Sequence, residues 1–297
     1  MTEPSTAMPP IIVIGMHRSG TTMLTEFMRD MGVFMGSVRE RNGESVFHLR
    51  ENSWLLEQCG ARWDYPDRIE MLLKNERLMD LFAAYLRERQ RSARAATVFH
   101  GAGRVFGLMG RAERGLWGWK DPRNSLTLPL WLRLYPDAKI VHVIRHGVDV
   151  AHSLQKRYGQ IIDGFDSQLK RSPTLFRLRP RRGVHLSDMN DLNFGLNLWS
   201  HYESACLNHV VELGKRAHSV RYEEFLEDPK HICRSLSDFV GFDMSGPSFE
   251  KATSKLRADR GFAYLSNPEA SEFAAKQANV LAGFGYGPDG WLEPKTA

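Results

Sequence analysis

The feature that most constrains this chain is a glycine-containing turn between a predicted strand and a predicted helix near the N-terminus. Ile11–Ile14 is an unbroken apolar run of strand length, and residues 15–20 follow it as a turn. From residue 21 onward, apolar side chains recur on one helical face until Gly32 ends the pattern. Such a turn can wrap an anion, because its backbone amides point inward at the positive end of the helix.

The basic residue of this turn lies at a different position from the lysine of nucleoside triphosphatases. The pattern G-x-x-x-x-G-K-[ST] requires lysine directly after the second glycine, but that position is Thr21 and the cation is Arg18. The second predicted strand, Lys139–Ile144, is followed by Arg145, where a magnesium-binding aspartate would be expected. We therefore predict a phosphate-linked donor held by arginine and hydroxyls without a metal. The alternative is a tight turn with a Ser/Thr helix cap.

A second anion site is predicted where the second strand ends. Arg145 lies at the carboxyl end of the strand, where open α/β sheets bind ligands. Ser153 and Arg157 are four residues apart on the following helix and share one face. An arginine, a hydroxyl and a second arginine suit a dianion. In the alternative reading, Arg145 pairs with Asp149 or Glu224 and Ser153 caps locally.

Residues 15–24, G-M-H-R-S-G-T-T-M-L, resemble the 5′-phosphosulfate loop of the sulfotransferase family that uses 3′-phosphoadenosine 5′-phosphosulfate (PAPS). The second strand with its helix and the segment R-Y-E-E-F-L-E-D-P at 221–229 also resemble the family, closest to its bacterial and tyrosylprotein-type branches. These motifs span residue 11 to about residue 290. The resemblance implies an α/β fold of three α/β/α layers of the P-loop type with a parallel central sheet. It also implies PAPS as co-substrate and a donor site made of His17, Arg18, Ser19, Gly20, Thr21, Thr22, Arg145, Ser153, Arg157 and Tyr222.

The same resemblance supplies two catalytic candidates. Lys120, in the K-D-P element at 120–122, matches the lysine that contacts the leaving group, and Arg123 is close by. The alternative is a surface turn with an Asp121–Arg123 pair. Glu44 lies after the first helix, where these branches place a catalytic base, and Asn52 fits the same pattern without an assigned role. The competing bases are His48 and His100, with Glu40 and Glu51 as neighbouring carboxylates.

Strands alternating with helices imply a parallel sheet covered on both faces. Residues 33–60 are predicted to begin irregularly and to become helical around 52–57. Further helices are predicted over 67–94, 191–213 and Pro229–Val240, and a third strand over 219–222. Residues 159–188 are basic and contain prolines, so they are predicted to be irregular, as a lid or a mobile surface flap. We find no linker and predict one domain over 1–297, with flexible tails at 1–10 and about 290–297.

Composition limits the function classes. The chain is 42% hydrophobic, carries a net charge of +5, and has three widely spaced cysteines that match neither a disulfide framework nor a zinc site. No apolar run is long enough for a membrane span, and no nucleic-acid motif accompanies the charge. We predict a cytoplasmic enzyme whose acceptor is a small-molecule, carbohydrate, lipid or peptide hydroxyl, or an amine. A P-loop small-molecule kinase, a non-catalytic nucleotide-binding protein and a basic interaction module are the alternatives. Oligomeric state stays open.

Overall fold

The computed structural model describes residues 8–101, 115–174, 184–244, 247–254, 256 and 260–291. The chain divides into two compact units, each built from two stretches of sequence. Unit 1 comprises Met1–Ile144 and Ser204–Ala258, and unit 2 comprises Arg145–Glu203 and Asp259–Ala297. The single-domain organisation stays a prediction.

The strands are β1 (Ile11–Ile14), β2 (Gly118–Lys120), β3 (Lys139–Ile144), β4 (Ala217–Arg221), β5 (Tyr286–Gly287) and β6 (Gly290–Trp291). The α-helices are α1 (Thr21–Asp30), α2 (Val46–Gln58), α3 (Ile69–Leu73), α4 (Glu76–Gln90), α5 (Asn124–Leu134), α6 (Gly147–Arg171), α7 (Leu192–Leu213), α8 (Tyr222–Glu227), α9 (Pro229–Val240), α10 (Pro247–Thr253), α11 (Pro268–Lys276) and α12 (Ala278–Ala282). No helix within the described ranges has the length and apolarity needed to cross a membrane.

Unit 1 contains a four-stranded parallel sheet in the order β2-β1-β3-β4. The chain moves from β1 to β2 on one side and from β3 to β4 on the other. The direction of winding therefore changes between β1 and β3, and the crevice at the carboxyl ends of strands at such a point is the usual ligand site. The glycine-containing turn leaves β1 at this position.

Both faces of the sheet are covered. Ile11 and Val13 belong to a buried cluster with Phe27 of α1 and Leu236 of α9. Side chains alternate between the faces of a strand, so Ile12 and its counterparts point the other way, and β1 is buried along its whole length. The α/β class, with a parallel central sheet between helical layers in a P-loop arrangement, is confirmed.

Most predicted elements are confirmed, and the following ones differ. The strand β2 was not predicted, because three residues containing tryptophan and lysine do not show a strand pattern. The helical stretch at 67–94 is two helices, because Asn75 accepts a hydrogen bond from the Leu78 amide and so starts α4 anew. The helix predicted late in the 33–60 segment begins earlier, at Val46.

The prediction of an irregular segment over 159–188 is wrong for residues 159–171, which continue helix α6. Glycines at 159 and 164 cost roughly 1 kcal/mol each relative to alanine, which a long helix tolerates. The first proline after the helix start is Pro173, beyond its end. Residues 184–190 form a 3₁₀-helix, and residues 175–183 lie outside the described part of the chain. A lid role for this segment stays a prediction.

Unit 2 is organised around a buried histidine and an aromatic cluster. The His146 ring stacks on Tyr264 with centroids 4.3 Å apart, and its Nε2 lies 3.0 Å from the Gly287 carbonyl oxygen. The Trp199 indole donates to the Arg145 carbonyl at 3.0 Å. A Cβ atom at Gly147 would lie 2.6 Å from the Trp199 ring, so only glycine allows this approach. Burial lowers the pKa of His146 to about 4.

Candidate active site

The turn after β1 has a backbone conformation that favours glycine. Gly15 and Gly20 have φ values of 134° and 96°, and Arg18, although not a glycine, has φ 72°. The Gly15 amide donates to Ser125 Oγ at 2.9 Å, and a Cβ atom on Gly15 would lie 2.4 Å from the Val143 carbonyl oxygen. The turn is thus seated against β3 and α5, and Arg18 is held in a strained conformation that the surroundings must enforce.

Helix α1 begins without a capping side chain at its N-cap position. Its N-cap is Gly20, and the buried Ser19 hydroxyl donates to the Met16 carbonyl at 2.7 Å within the turn. Thr22 Oγ1 donates to the Asn42 carbonyl at 2.8 Å. The alternative of a Ser/Thr-capped turn is therefore not what the structure shows. Glycine at the N-cap position offers the first amides of α1 no side-chain acceptor, which suits an anion-binding helix start.

Two aromatic rings lie against the turn. The Tyr222 ring covers Gly20 so closely that a Cβ atom there would be 2.2 Å from Tyr222 Cδ2. The His17 ring lies 4.4 Å from the Trp63 ring between centroids. Tyr222 and His17, both predicted donor-site residues, are therefore packed at this turn. We call residues 15–22 the predicted phosphate loop, and Trp63 is a neighbour of it that the sequence does not indicate.

Lys120 joins the phosphate loop to the predicted base. Its Nζ lies 2.8 Å from Glu44 Oε1, 2.5 Å from the Asn42 carbonyl oxygen and 3.4 Å from Thr22 Oγ1. The Lys120 side chain is 1% exposed and that of Glu44 is 7% exposed. Burial lowers the pKa of Lys120, and the nearby Glu44 carboxylate opposes that shift. The structure thus brings both catalytic candidates together beside Thr22.

The backbone on either side of this ion pair is fixed by hydrogen bonds. The Ser45 amide donates to the Lys120 carbonyl at 3.3 Å. Asp121 Oδ1 accepts from the Arg123 amide at 3.1 Å and from the Arg123 guanidinium at 3.0 Å. The Asp121–Arg123 pair of the alternative reading exists, but Asp121 is fully buried, so the K-D-P element is not a surface turn.

The competing bases have other surroundings. His48 is fully buried, stacks on Trp119 with centroids 4.1 Å apart, and has a pKa well below its ordinary value because of burial. Glu51 is buried in an ion pair with Arg89 at 2.7 Å. His100 and Glu40 are exposed. Among these carboxylates and imidazoles, Glu44 is the one placed against Lys120.

In unit 2, the predicted 3′-phosphate residues lie at the start of α6. Arg145 Nη2 lies 3.0 Å from Asp149 Oδ2 and donates to the Arg260 carbonyl at 2.8 Å. Asp149 also accepts from the Tyr264 amide at 2.7 Å. The Arg145–Asp149 pair of the alternative reading is therefore present, and it fixes the guanidinium plane at the helix start. Ser153 is half-buried and Arg157 is exposed, one helical turn apart.

One contributor could not have been predicted from sequence patterns. The Asn42 carbonyl oxygen accepts from both Lys120 and Thr22. A backbone carbonyl carries no residue signature, and its role depends on the path of the 31–45 segment. Gly43, with φ 80°, was the available local signal of a turn at this place.

The sequence comparison decides the family. The model of the sulfotransferase family matches residues 9–246, most of the chain. The chain belongs to the sulfotransferase family. No curated protein is significantly similar to this sulfotransferase.

Solved structures similar to this sulfotransferase include the following three. The sulfotransferase domain from the curacin biosynthetic pathway is 18% identical, with 86% of this chain and 80% of that chain covered and a TM-score of 0.47. The sulfotransferase domain from the Synechococcus PCC 7002 olefin synthase is 17% identical, with coverages of 96% and 97% and a TM-score of 0.48. The sulfotransferase from Alicyclobacillus acidocaldarius is 18% identical, with coverages of 94% and 96% and a TM-score of 0.49.

Proposed function

We propose that this sulfotransferase moves the sulfuryl group of PAPS to an acceptor hydroxyl or amine and releases 3′,5′-ADP. The observation that carries the proposal is the position of Lys120. Its ammonium group contacts Glu44 on one side and Thr22 of the phosphate loop on the other. A base for the acceptor and a cation for the leaving group are therefore adjacent, as sulfuryl transfer requires.

The reaction divides between these residues as follows. The acceptor oxygen attacks the sulfur in line, an O–S bond forms, and the bond between sulfur and the bridging phosphate oxygen breaks. Glu44 takes the acceptor's proton. Lys120 donates a hydrogen bond to the bridging oxygen as negative charge develops on it. Because the lysine is buried, its charge acts in a low-dielectric environment, where such stabilisation is larger than in water.

The donor contacts follow the two predicted anion sites. The amides and hydroxyls of residues 18–22, together with the Arg18 guanidinium, bind the 5′-phosphosulfate. Arg145, Ser153 and Arg157 bind the 3′-phosphate, which separates PAPS from nucleotides without it. In support, the loop has no side-chain cap at Gly20, and the Arg145 guanidinium is oriented by Asp149. The proposal requires no metal, and a cytoplasmic location stays a prediction.

The test is incubation of the purified chain with ³⁵S-labelled PAPS and pools of sugars, phenols, lipids and tyrosine peptides. We expect label transfer that needs no added magnesium and is lost in the Glu44→Gln variant. Binding of 3′,5′-ADP in calorimetry without transfer to any pool would favour a non-catalytic nucleotide-binding protein. Magnesium-dependent phosphorylation by ATP would favour a kinase. Either result would overturn the proposal.

A further inference from the structure

We infer that Asn52 is a positioning residue that holds helix α2, and with it Glu44, in register with the turn that carries Lys120. This inference rests on the proposed function and adds a residue to it. Glu44 lies two residues before α2, whereas Lys120 ends β2. The distance between base and lysine therefore depends on how α2 is fixed to the K-D-P turn.

Every hydrogen-bonding position of the Asn52 amide is used. Asn52 Nδ2 donates to Asp121 Oδ2 at 2.9 Å and to Asn124 Oδ1 at 2.8 Å. Asn52 Oδ1 accepts from Thr127 Oγ1 and from Trp131 Nε1, both at 2.8 Å. A side-chain amide has two N–H donors and two acceptor lone pairs. The side chain is fully buried, so each of these bonds would be costly to leave unmade.

Asn52 lies on the face of α2 that packs against the K-D-P element at residues 120–122. Positions 45, 48 and 52 recur at helical spacing and lie on that face. The Ser45 amide donates to the Lys120 carbonyl, and His48 stacks on Trp119. Asn52 adds the contact with Asp121, the residue directly after Lys120. The face thus touches residues on both sides of the lysine.

The chemistry of the contact explains why an amide is needed. Asp121 is fully buried, and its Oδ1 is occupied by Arg123 while its Oδ2 accepts from Asn52. A carboxylate at position 52 would keep the shape but would replace the donor by an acceptor next to a second carboxylate. Like charges at that distance repel, so the turn and Lys120 would shift away from Glu44. A misplacement of about 1 Å can reduce the rate about 100-fold.

The experiment compares Asn52→Asp with Thr127→Val. The second substitution removes the hydroxyl that donates to Asn52 Oδ1 but leaves both hydrogen bonds from Asn52 Nδ2 intact. We expect Asn52→Asp to lower kcat about 100-fold while the KM for the acceptor and the affinity for 3′,5′-ADP stay within about threefold. Thr127→Val should keep kcat within about threefold. The double variant N52D/D121N, in which the amide and carboxylate are exchanged, should recover part of the lost kcat.

A second readout does not need activity. The rate at which acetic anhydride labels Lys120, followed by mass spectrometry, should rise in Asn52→Asp and stay unchanged in Thr127→Val. Asn52→Ala, which introduces no charge, serves where Asn52→Asp does not fold and should act in the same direction. Wild-type kcat and labelling in the Asn52 variants, or an equal loss of kcat in Thr127→Val, would overturn the inference. A wild-type chain that transfers no sulfuryl group would overturn the proposed function instead, and the labelling comparison would still decide the positioning role.

Discussion

Lys120 Nζ lies 2.8 Å from Glu44 Oε1, although the two residues are 76 positions apart in the chain. Both side chains are buried, so each is the nearby countercharge that makes the burial of the other tolerable. The pair thus has two functions in the proposed reaction. It places the carboxylate that acts as the base against a buried ammonium group, and it holds the lysine beside Thr22 of the predicted phosphate loop.

We expect Glu44→Gln to lower kcat by roughly 10²–10⁴-fold, because the general base is lost. The variant should also lose stability, about 3–5 kcal/mol, because Lys120 keeps its burial without a countercharge. Turnover at saturating donor and acceptor, with urea unfolding, measures both effects. Glu40→Gln, an exposed carboxylate in the same loop, is the control and should behave as wild type. Equal loss of kcat in both variants would contradict the assignment of Glu44.

The pH dependence of the same variant has a defined sign. Burial lowers the pKa of Lys120 in the folded chain, and Glu44 opposes that shift. Without Glu44 the folded-state pKa falls further below the unfolded value, so the unfolded chain binds more protons between the two values. The free energy of unfolding of Glu44→Gln should therefore rise more steeply with pH below about 10.5 than that of wild type. Urea unfolding at pH 7 and pH 9.5 tests this, and parallel curves would contradict it.

Gly20→Ala should weaken nucleotide binding at the predicted phosphate loop, whereas Gly32→Ala should not. Both glycines have positive φ, 96° and 88°, so alanine costs about 1–2 kcal/mol of backbone energy at either position. At Gly20 the methyl group would also lie 2.2 Å from Tyr222 Cδ2, while at Gly32 nothing lies within 4 Å. Calorimetry with 3′,5′-ADP should show at least a tenfold loss for Gly20→Ala and an unchanged affinity for Gly32→Ala. Unchanged affinity in both would mean that the turn does not bind the nucleotide.

Arg145→Ala should weaken 3′,5′-ADP binding by roughly 10–150-fold, the equivalent of about 1.5–3 kcal/mol for a charge-assisted hydrogen bond. Binding of 5′-AMP, which lacks the 3′-phosphate, should change little. Arg171→Ala removes an exposed charge at the far end of α6 and controls for the general loss of positive charge. The same loss for both nucleotides, or for both variants, would show that Arg145 does not read the 3′-phosphate.

His146 should make the fold sensitive to acid. Burial lowers the pKa of His146 to about 4, whereas its pKa in the unfolded chain is near 6.5. Between these values the unfolded state binds the extra proton, so the free energy of unfolding should fall by about 1.4 kcal/mol per pH unit as the pH decreases. Replacing His146 with phenylalanine should reduce the stability difference between pH 7 and pH 4.5. His231→Phe, at an exposed position, is the control, and an effect as large as that of the His146 variant would contradict the prediction.

The phosphate loop and the strands β1 and β3 could be predicted from the sequence because their signals are local. An apolar run, two glycines and a helical pattern occur within about 20 residues. The strand β2 could not, because Gly118–Lys120 becomes a strand through pairing with Ile11–Val13, which is distant in sequence. Gly118 permits this pairing, since a Cβ atom there would lie 1.9 Å from the Ile11 carbonyl oxygen.

The sequence predicts which residues belong to the candidate site but not how they contact each other. The family resemblance implies Lys120 and Glu44 separately, and no local pattern indicates that they form an ion pair. In helix α6 the local pattern itself leads to a wrong prediction. The basic and glycine-containing sequence of its second half predicts a loop, but the helix that begins at Gly147 continues to Arg171.

The left-handed backbone at Arg18 lowers the stability of the fold at a position whose side chain is proposed to bind the ligand. Glycine at this position would relieve the steric cost of about 1–2 kcal/mol. The exchange of arginine for glycine would also remove the guanidinium from the proposed anion site. Selection for heat resistance alone would therefore drive this position away from arginine, and a more durable chain would be a poorer enzyme.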